Sequence, residues 1–232
     1  MEIIEIYKEG MEDEHACQAV CLLMALRTLG SGVTKEDLYK QIETKGTGNL
    51  ALPWGICNAA SMNGFQITLI SGDPFKLIDY SLIVNQGGMT EEGAKLFVKR
   101  LIHSCKSHRD FINLERFVDV AQRSEDNTQL ESKHIEYMSY IVSEKLGIVM
   151  VTVKWHTGIN HAVVIEKIGT DKVWFKNPNP EEDEPRSLPR RKFFEDWSHK
   201  DTDHDYFVVW KPGIDPMNPS SFSNWREERG RI

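Results

Sequence analysis

Apolar residues follow a helical spacing in the first half of the chain and a mostly alternating spacing near its end. In the first helical stretch, residues 16–29, four side chains fall on one stripe: Cys17, Val20, Cys21 and Met24. Further predicted helices cover residues 34–42, 54–63 and 132–146. Predicted strands cover residues 65–70, 148–153, 161–168, 172–175 and 206–210. Because helices come first and most strands last, the pattern indicates an α+β fold with a C-terminal antiparallel sheet.

A long segment separates the early helices from this sheet. Residues 71–127 contain helical patterns at 91–104 and 111–122, which predicts a helical insertion. Such an insertion either borders the functional groove or is a peripheral addition to the fold. Pro, Ser and Arg residues characterise positions 213–232. The predicted organisation is therefore a single domain over residues 1–212, with an insertion at about 71–127 and a C-terminal tail over 213–232.

Composition narrows the class of protein. The 232 residues are 40% hydrophobic and 27% charged, which is typical of a soluble globular domain. The net charge of −7 argues against a nucleic-acid-binding surface. Apolar runs are too short to span a bilayer, and the first ten residues lack a signal peptide. We therefore expect no membrane insertion and a cytoplasmic location in the producing cell, although export by a signal-independent route would leave the same sequence.

The residues with the clearest chemical potential are a cysteine, a histidine and an asparagine. A cysteine nucleophile needs a helix start that favours its thiolate, a histidine base and a group that orients the histidine. Cys17 stands at the start of the first predicted helix, His161 opens a strand, and Asn177 follows the next strand. Thr170-Asp171 suits a hairpin turn between those two strands, and a hairpin would bring His161 and Asn177 together.

These residues carry a resemblance to a known family. Residues 16–26, Ala-Cys-Gln-Ala-Val-Cys-Leu-Leu-Met-Ala-Leu, resemble the nucleophile helix of the bacteriocin-processing, double-glycine-leader peptidases of the papain-like superfamily. The likeness continues through residues 34–64, with Leu38, Gly55 and Gly64, and returns at residues 161–178. Residues 194–212 resemble the closing strand of that family. The resemblance covers about two-thirds of the chain and implies a papain-like fold with the nucleophile helix packed on the sheet.

The resemblance implies Cys17 as nucleophile, His161 as general base and Asn177 as the residue that orients His161. Two positions depart from the family pattern. Gln18 follows the cysteine where the family usually has glycine, and Met11 occupies the position of the oxyanion-hole glutamine. A thioether donates no hydrogen bond, and losing one oxyanion donor typically costs about a hundred- to a thousand-fold in rate. The sequence then leaves two alternatives: Gln18 or a donor from the insertion substitutes for the missing donor, or the domain is slow or inactive.

Each candidate also has a plain structural interpretation. Free cysteine is often buried, and we expect Cys21, Cys57 and Cys105 to be core residues or incidental. The four cysteines form no Cys-x-x-Cys pair, so we expect free thiols, no metal site and no cofactor. His156 competes with His161 for the role of base, and His15 could support the site. Asn179, in the second Asn-Pro, competes with Asn177. Trp54 and Trp155 could line a substrate groove or belong to the core.

Two function classes follow from the sequence. The first is a thiol-dependent hydrolase that acts on an amide bond of a peptide or protein, as a protease or a deamidase, or an acyl transferase of the same fold. The second is a papain-like binding module with weakened catalysis, which the methionine at position 11 favours. The sequence indicates neither the substrate nor the oligomeric state.

Overall fold

A computed structural model describes residues 16–42, 53–70, 90, 92–93, 127–178, 186–199, 202, 206–216 and 219–229. The helices are α1 (Cys17–Thr28), α2 (Lys35–Gln41), α3 (Pro53–Met62), α4 (Asn127–Ser143), α5 (Arg190–Trp197) and α6 (Pro219–Arg229). The strands are β1 (Gln66–Ile70), β2 (Ile148–Lys154), β3 (Asn160–Ile168), β4 (Lys172–Lys176), β5 (Ser187–Pro189) and β6 (Tyr206–Trp210).

The six strands form one sheet in the order β1-β6-β2-β3-β4-β5, with every neighbouring pair antiparallel. In the β2–β3 pair Val153 lies opposite His161, and in the β3–β4 pair Val164 lies opposite Lys176. The Gly169 N–H donates to the Lys172 carbonyl at 2.8 Å, which closes the β3–β4 hairpin around Thr170 and Asp171. The predicted α+β fold and its C-terminal antiparallel sheet are therefore confirmed.

Helices α1, α2 and α3 cover one face of the sheet. Alternate residues of β2, such as Ile148 and Met150, point into this layer because successive strand residues face opposite sides. Every α1 residue from Ala19 to Leu26 is buried. A helix that is apolar all round must be covered on several sides, and here the sheet, α2 and α3 provide that cover. The result is a rigid support for the first residue of α1.

Helices α4, α5 and α6 belong to a second layer on the opposite face. The intervening β2 residues Val149, Val151 and Val153 point into it, together with aromatic residues from α5 and β6. Because β2 and β3 are covered on both faces, their side chains form nearly continuous apolar runs rather than a strict alternation of apolar and polar residues. The sheet is thus the central layer of three.

Two local features explain how the chain enters these elements. The Thr34 side chain accepts a hydrogen bond from the Asp37 N–H at 3.1 Å, so Thr34 is the N-cap of α2. At Gly55 in α3, a Cβ atom would lie 2.6 Å from the Ile42 carbonyl oxygen. Only glycine allows this close approach of α3 to the end of α2.

Some of the described elements differ from the sequence prediction. Strand β5 and helix α5 were not predicted, and the closing strand suggested for residues 194–212 begins only at Tyr206, because Phe194 and Trp197 lie in α5. The short β5–α5 region has few residues over which a period is visible. The segment assigned as a tail contains α6, which packs on α4.

Other predictions fall on residues that the structure does not describe. The proposed helices at 91–104 and 111–122 lie outside the described residues, and most of the insertion at 71–127 does too. The division into a domain at 1–212 and a tail stays a prediction. None of the described helices combines the length and apolar character that crossing a membrane requires.

Candidate active site

Cys17 is the first residue of α1, and its side chain is buried among residues of α1 and the sheet. Burial raises the pKa of the Cys17 thiol, because a thiolate is poorly solvated there. Hydrogen bonds from the backbone N–H groups of Ala162, Gln18 and Cys17 itself act in the opposite direction and lower this pKa. The helix start therefore supplies donors for a negative charge, although burial dominates the result.

His161 and Asn177 meet at one end of the β3–β4 hairpin. His161 Nε2 lies 2.7 Å from Asn177 Oδ1, and both side chains are buried, with exposed fractions of 3% and 9%. An amide oxygen only accepts hydrogen bonds, so His161 Nε2 carries the proton and donates it. In the neutral imidazole, Nδ1 is then the unprotonated nitrogen and can accept a proton.

The backbone links the cysteine to this pair. The Ala162 N–H that hydrogen-bonds Cys17 belongs to the residue directly after His161, so the thiol lies beside the start of β3. The packing of α1 against β3 produces this arrangement. The three residues singled out in the sequence thus come from α1, from the start of β3 and from the end of β4, and they converge on one region.

Gln18 has a less defined position. Its side chain is partly buried, and among the described residues Oε1 has no hydrogen-bond partner. Its backbone N–H is directed at the Cys17 sulfur. A role for Gln18 in an oxyanion hole stays a prediction. Met11, whose position carries the family's glutamine, lies outside the described residues, as does His15.

The rival residues occupy different environments. His156 is exposed in the turn between β2 and β3. Cys21 and Cys57 are buried cysteines in the core beside α1. Asn179 and Cys105 lie outside the described residues. Within the described part of the chain, no three His, Cys, Asp or Glu side chains are grouped as a metal ion would require.

The contact between Trp155 and His161 was not predicted from the sequence. The sequence left open whether Trp155 lines a groove or belongs to the core. The Trp155 ring centroid lies 5.0 Å from that of His161, with 50° between the ring planes. The Trp155 and Phe175 rings form a T-shaped pair with a centroid distance of 6.1 Å. The only sequence signal was an aromatic residue six positions before His161, and the turn that folds it back is a tertiary feature. The Trp54 side chain is not among those that the structure describes.

No protein-family model matches the sequence, and no curated protein matches it either. Among solved structures, the fold is similar to a putative C39-like peptidase from Bacillus anthracis. The TM-score is 0.50 at 13% identity, over 90% of this chain and 96% of the other.

Two further structures have lower TM-scores. One is the peptidase domain of Streptococcus ComA, a bifunctional ABC transporter involved in quorum sensing, with a TM-score of 0.48 at 13% identity over 90% and 98% of the two chains. The other is a double glycine motif protease from an AMS/PCAT transporter in complex with the leader peptide, with a TM-score of 0.45 at 10% identity over 89% and 92%. At 13% identity the likeness to the Bacillus anthracis structure concerns the fold alone, and the chain has the papain-like fold of that C39-like peptidase.

Proposed function

We propose that this protein is a thiol-dependent hydrolase that acts on an amide bond of a peptide or protein. Cys17 is the nucleophile, His161 is the general base, and Asn177 orients His161. The observation that carries the proposal is the 2.7 Å hydrogen bond from His161 Nε2 to Asn177 Oδ1. This hydrogen bond leaves Nδ1 of His161 as the basic nitrogen. The next residue of the strand, Ala162, donates its backbone N–H to the Cys17 thiol.

The chemistry follows from these positions. His161 Nδ1 takes the thiol proton of Cys17, and the thiolate attacks the carbonyl carbon of the substrate. The imidazolium then gives its proton to the leaving amine, and a thioester to Cys17 remains. Water, deprotonated by His161, hydrolyses the thioester and restores the thiol. Asn177 holds the proton on Nε2 throughout, so the imidazole keeps one tautomer.

The oxyanion formed in this reaction needs donors. The backbone N–H groups of Cys17 and Gln18 stand at the start of α1, where helix N–H groups have no partner within the helix. The Gln18 amide is a further candidate, in place of the glutamine that Met11 replaces in the family pattern. Backbone N–H groups donate hydrogen bonds whatever the side chain is, so they can bind the oxyanion even though Met11 provides no donor.

The bond that Cys17 attacks and the molecule that accepts the acyl group decide the reaction class. Attack on a backbone amide of the substrate makes the protein a protease, and attack on a side-chain carboxamide makes it a deamidase. If an amine accepts the acyl group in place of water, the protein is an acyl transferase. All three use the same thioester on Cys17. Hydrolysis of a peptide or protein is the principal proposal, because it matches the resemblance of residues 16–26 and 161–178.

One observation favours a second candidate, a binding module that keeps the groove without turnover. Burial raises the pKa of Cys17, whereas an activated nucleophile needs its thiolate at neutral pH. In this alternative, His161 and Asn177 stabilise the fold, and Cys17 is a buried thiol of the α1 core.

The pH dependence of Cys17 alkylation separates the two candidates. Iodoacetamide labelling of the whole protein, read at Cys17 by peptide mass spectrometry, should persist below pH 7 if His161 takes the proton. Labelling that begins only above the ordinary thiol range, about pH 8.5, would contradict the hydrolase. Cys21→Ser is the matched control, because Cys21 is fully buried and should leave the profile unchanged.

Turnover is tested with a mixed peptide library. Mass spectrometry of the products distinguishes a cleaved chain, a deamidated glutamine or asparagine, and an adduct with an added amine. Cys17→Ser should remove whichever product appears while the protein keeps its melting temperature. Product formed by the folded Cys17→Ser variant would overturn the assignment of the nucleophile.

A further inference from the structure

A cavity of about 660 Å³ opens at the end of the β3–β4 hairpin, away from the candidate active site. Ile168, which lines this cavity, is seven residues along β3 from His161, or about 20 Å at about 3.3 Å per residue. The volume lies within the range of small-molecule sites, about 300–1,000 Å³. The principal lining residues come from the hairpin, α5 and α6: Lys167, Gly169, Asp171, Trp174, Arg190 and Trp225. None of the described lining residues belongs to the candidate triad.

Two indole rings form walls of the cavity, and the fold holds both in place. A Cβ atom at Gly169 would lie 2.8 Å from Cζ3 of Trp174, so only glycine lets this indole lie against the hairpin backbone. The Trp225 ring stacks on Phe222 at 6.0 Å, and its N–H donates to a carboxylate oxygen of Glu144. Both indoles are only half-buried, so each keeps surface that a ligand can contact.

Two cations of the cavity, Lys167 and Arg190, form no ion pair with a carboxylate of the described residues. Lys167 Nζ lies 4.9 Å from the centroid of the Trp174 ring. Arg190 Nη1 donates to the Gly169 carbonyl at 2.8 Å, and the guanidinium lies 5.4 Å from the centroid of the Phe194 ring. This contact with the hairpin uses only part of the five N–H donors of the guanidinium. Burial also lowers the pKa of Arg190, which an anion in the cavity would oppose.

The cavity also contains a carboxylate without an ion pair in the described part of the chain, that of Asp171. The Asp171 carbonyl accepts a hydrogen bond from the Arg190 N–H at 2.8 Å, yet the two side chains do not pair with each other. The second carboxylate of the cavity, Glu136, is neutralised by Arg226 at 3.0 Å. Charges of both signs therefore remain available, and a ligand that carries both signs complements them better than a simple anion does.

We propose that this cavity is a binding site for a short peptide whose two termini are free. The carboxylate of the peptide binds Arg190 and Lys167, because a guanidinium presents paired donors that match a carboxylate. The ammonium group of the peptide binds Asp171. The apolar side chains of the peptide pack on the indoles of Trp174 and Trp225. This site goes beyond the proposed hydrolase and does not depend on it, since none of these residues takes part in the chemistry of the candidate triad.

The test is a titration with the dipeptide Ala-Phe of the full chain carrying Cys17→Ser, a change that prevents turnover of the probe. Nuclear magnetic resonance should show saturable shifts of the Gly169 backbone N–H and the Trp174 indole N–H. Two blocked probes examine the charges: Ala-Phe amide lacks the carboxylate, and N-acetyl-Ala-Phe lacks the ammonium group. Both should bind more weakly than Ala-Phe. Inorganic phosphate should also bind more weakly, because Asp171 repels it.

Substitutions in this parent assign the contacts. Arg190→Gln should raise the Kd of Ala-Phe by about 10- to 150-fold, the range of a hydrogen bond to a charged group. Lys167→Gln should raise it in the same direction and leaves the contact between Arg190 and the hairpin intact. Asp171→Asn should raise the Kd of Ala-Phe by about 2- to 5-fold, because this residue is exposed, and should not change that of N-acetyl-Ala-Phe. The matched control is Arg191→Gln on the same helical turn, which is exposed, paired with Glu195 and expected to have no effect.

Several results would overturn the site. These are the absence of saturable shifts with Ala-Phe, shifts confined to other parts of the chain, and an unchanged Kd in the folded Arg190→Gln and Lys167→Gln variants. Equal binding of the blocked probes, or phosphate binding as tight as that of Ala-Phe, would reject the peptide as the ligand. An equal loss in Arg191→Gln would show a general effect of charge on α5 and would also reject the proposal. Because the parent carries Cys17→Ser, each of these results leaves the hydrolase to its own tests by alkylation and product formation.

Discussion

The Cys17 thiol is subject to opposing influences. Burial raises its pKa, and the three backbone N–H groups at the junction of α1 and β3 lower it. His161 is the group that could reverse the balance, because a nearby imidazolium stabilises a thiolate far more than a neutral donor does. The rate at which Cys17 is alkylated therefore reports whether His161 stabilises its thiolate, and substitutions at His161 should change that rate.

We expect His161→Ala to shift Cys17 alkylation to alkaline pH and to lower turnover by about 10²- to 10⁴-fold, the usual contribution of a general base. Without the imidazole, only burial and the backbone donors set the thiol pKa, which is raised, so less thiolate is present at neutral pH. The measurements are site-resolved alkylation and product formation. His156→Ala is the control and should have little effect, because this side chain is exposed. The opposite ranking in folded proteins would make His156 the base.

Asn177→Ala should reduce turnover less than His161→Ala does. It leaves the buried His161 Nε2–H without its acceptor, a loss of about 1–3 kcal/mol that corresponds to about 5- to 150-fold. Asn177→Asp, which keeps an acceptor oxygen, should recover much of the rate. Single-turnover kinetics with the peptide found in the library provides the measurement. Asn179→Ala tests the second Asn-Pro, and a loss confined to that variant would show that the orienting residue was chosen wrongly.

Among the elements, α6 lies in the segment predicted as a tail and packs on α4 through aromatic side chains. Its Phe222 and Trp225 rings stack at 6.0 Å, and they contact Tyr137 and Tyr140 of α4 at 5.4 and 5.5 Å. The Trp225 indole N–H donates to a carboxylate oxygen of Glu144 at 3.1 Å. These aromatic contacts, rather than helix propensity, give α6 a fixed place, since short helices are marginal in water by themselves.

Phe222→Ala should lower the free energy of unfolding by about 1–2 kcal/mol, because each aromatic pair contributes about 0.5–1.5 kcal/mol beyond its buried area. Urea titration followed by tryptophan fluorescence measures the change. Arg226→Ala is the control on the same helix: it breaks the 3.0 Å ion pair with Glu136, but both side chains are substantially exposed and such pairs contribute about 0–1 kcal/mol. Equal stability of the wild-type protein and Phe222→Ala would mean that α6 does not pack on α4 in solution.

At the scale of the whole molecule, the second helical layer buries phenolic hydroxyl groups against the sheet. Burial raises the pKa of Tyr206 well above its ordinary value, with Tyr137 adding to the shift, and it raises the pKa of Tyr137 strongly as well. Tyr206 is fully buried, and a 2.9 Å hydrogen bond joins its hydroxyl to His134 Nδ1. The two tyrosines are therefore neutral in the folded protein under conditions where an exposed tyrosine ionises.

This burial predicts an alkaline loss of stability. Above the unfolded-state pKa of about 10, the unfolded chain releases tyrosine protons that the folded chain retains, so the free energy of unfolding falls as pH rises. Each retained proton contributes a slope of about 1.4 kcal/mol per pH unit. Tyr206→Phe removes the hydrogen bond to His134 and should lower the free energy of unfolding by about 1 kcal/mol at neutral pH. Above pH 10, the free energy of unfolding of this variant should fall less steeply than that of the wild-type protein. Urea midpoints across this range measure both effects, and parallel declines would contradict the assignment.

The sequence alone determined the local elements and the identities of the candidate site residues. The start of α1 at Cys17, the N-cap at Thr34 and the hairpin around Thr170 and Asp171 follow from signals within a few residues. The hairpin also made the neighbourhood of His161 and Asn177 predictable, because it joins consecutive strands. Such features depend on short-range sterics and hydrogen bonding, which short patterns record.

Only the tertiary structure decided which element covers which. Strand β6 lies between β1 and β2, although the three are far apart in sequence, and α4, α5 and α6 cover the face opposite α1. The contact of Trp155 with His161 and the hydrogen bond from Ala162 to Cys17 have the same origin. Periodicity shows which face of a helix or strand is apolar, but the hydrophobic effect has no direction and does not encode the partner. The partner follows from the packing of all layers together.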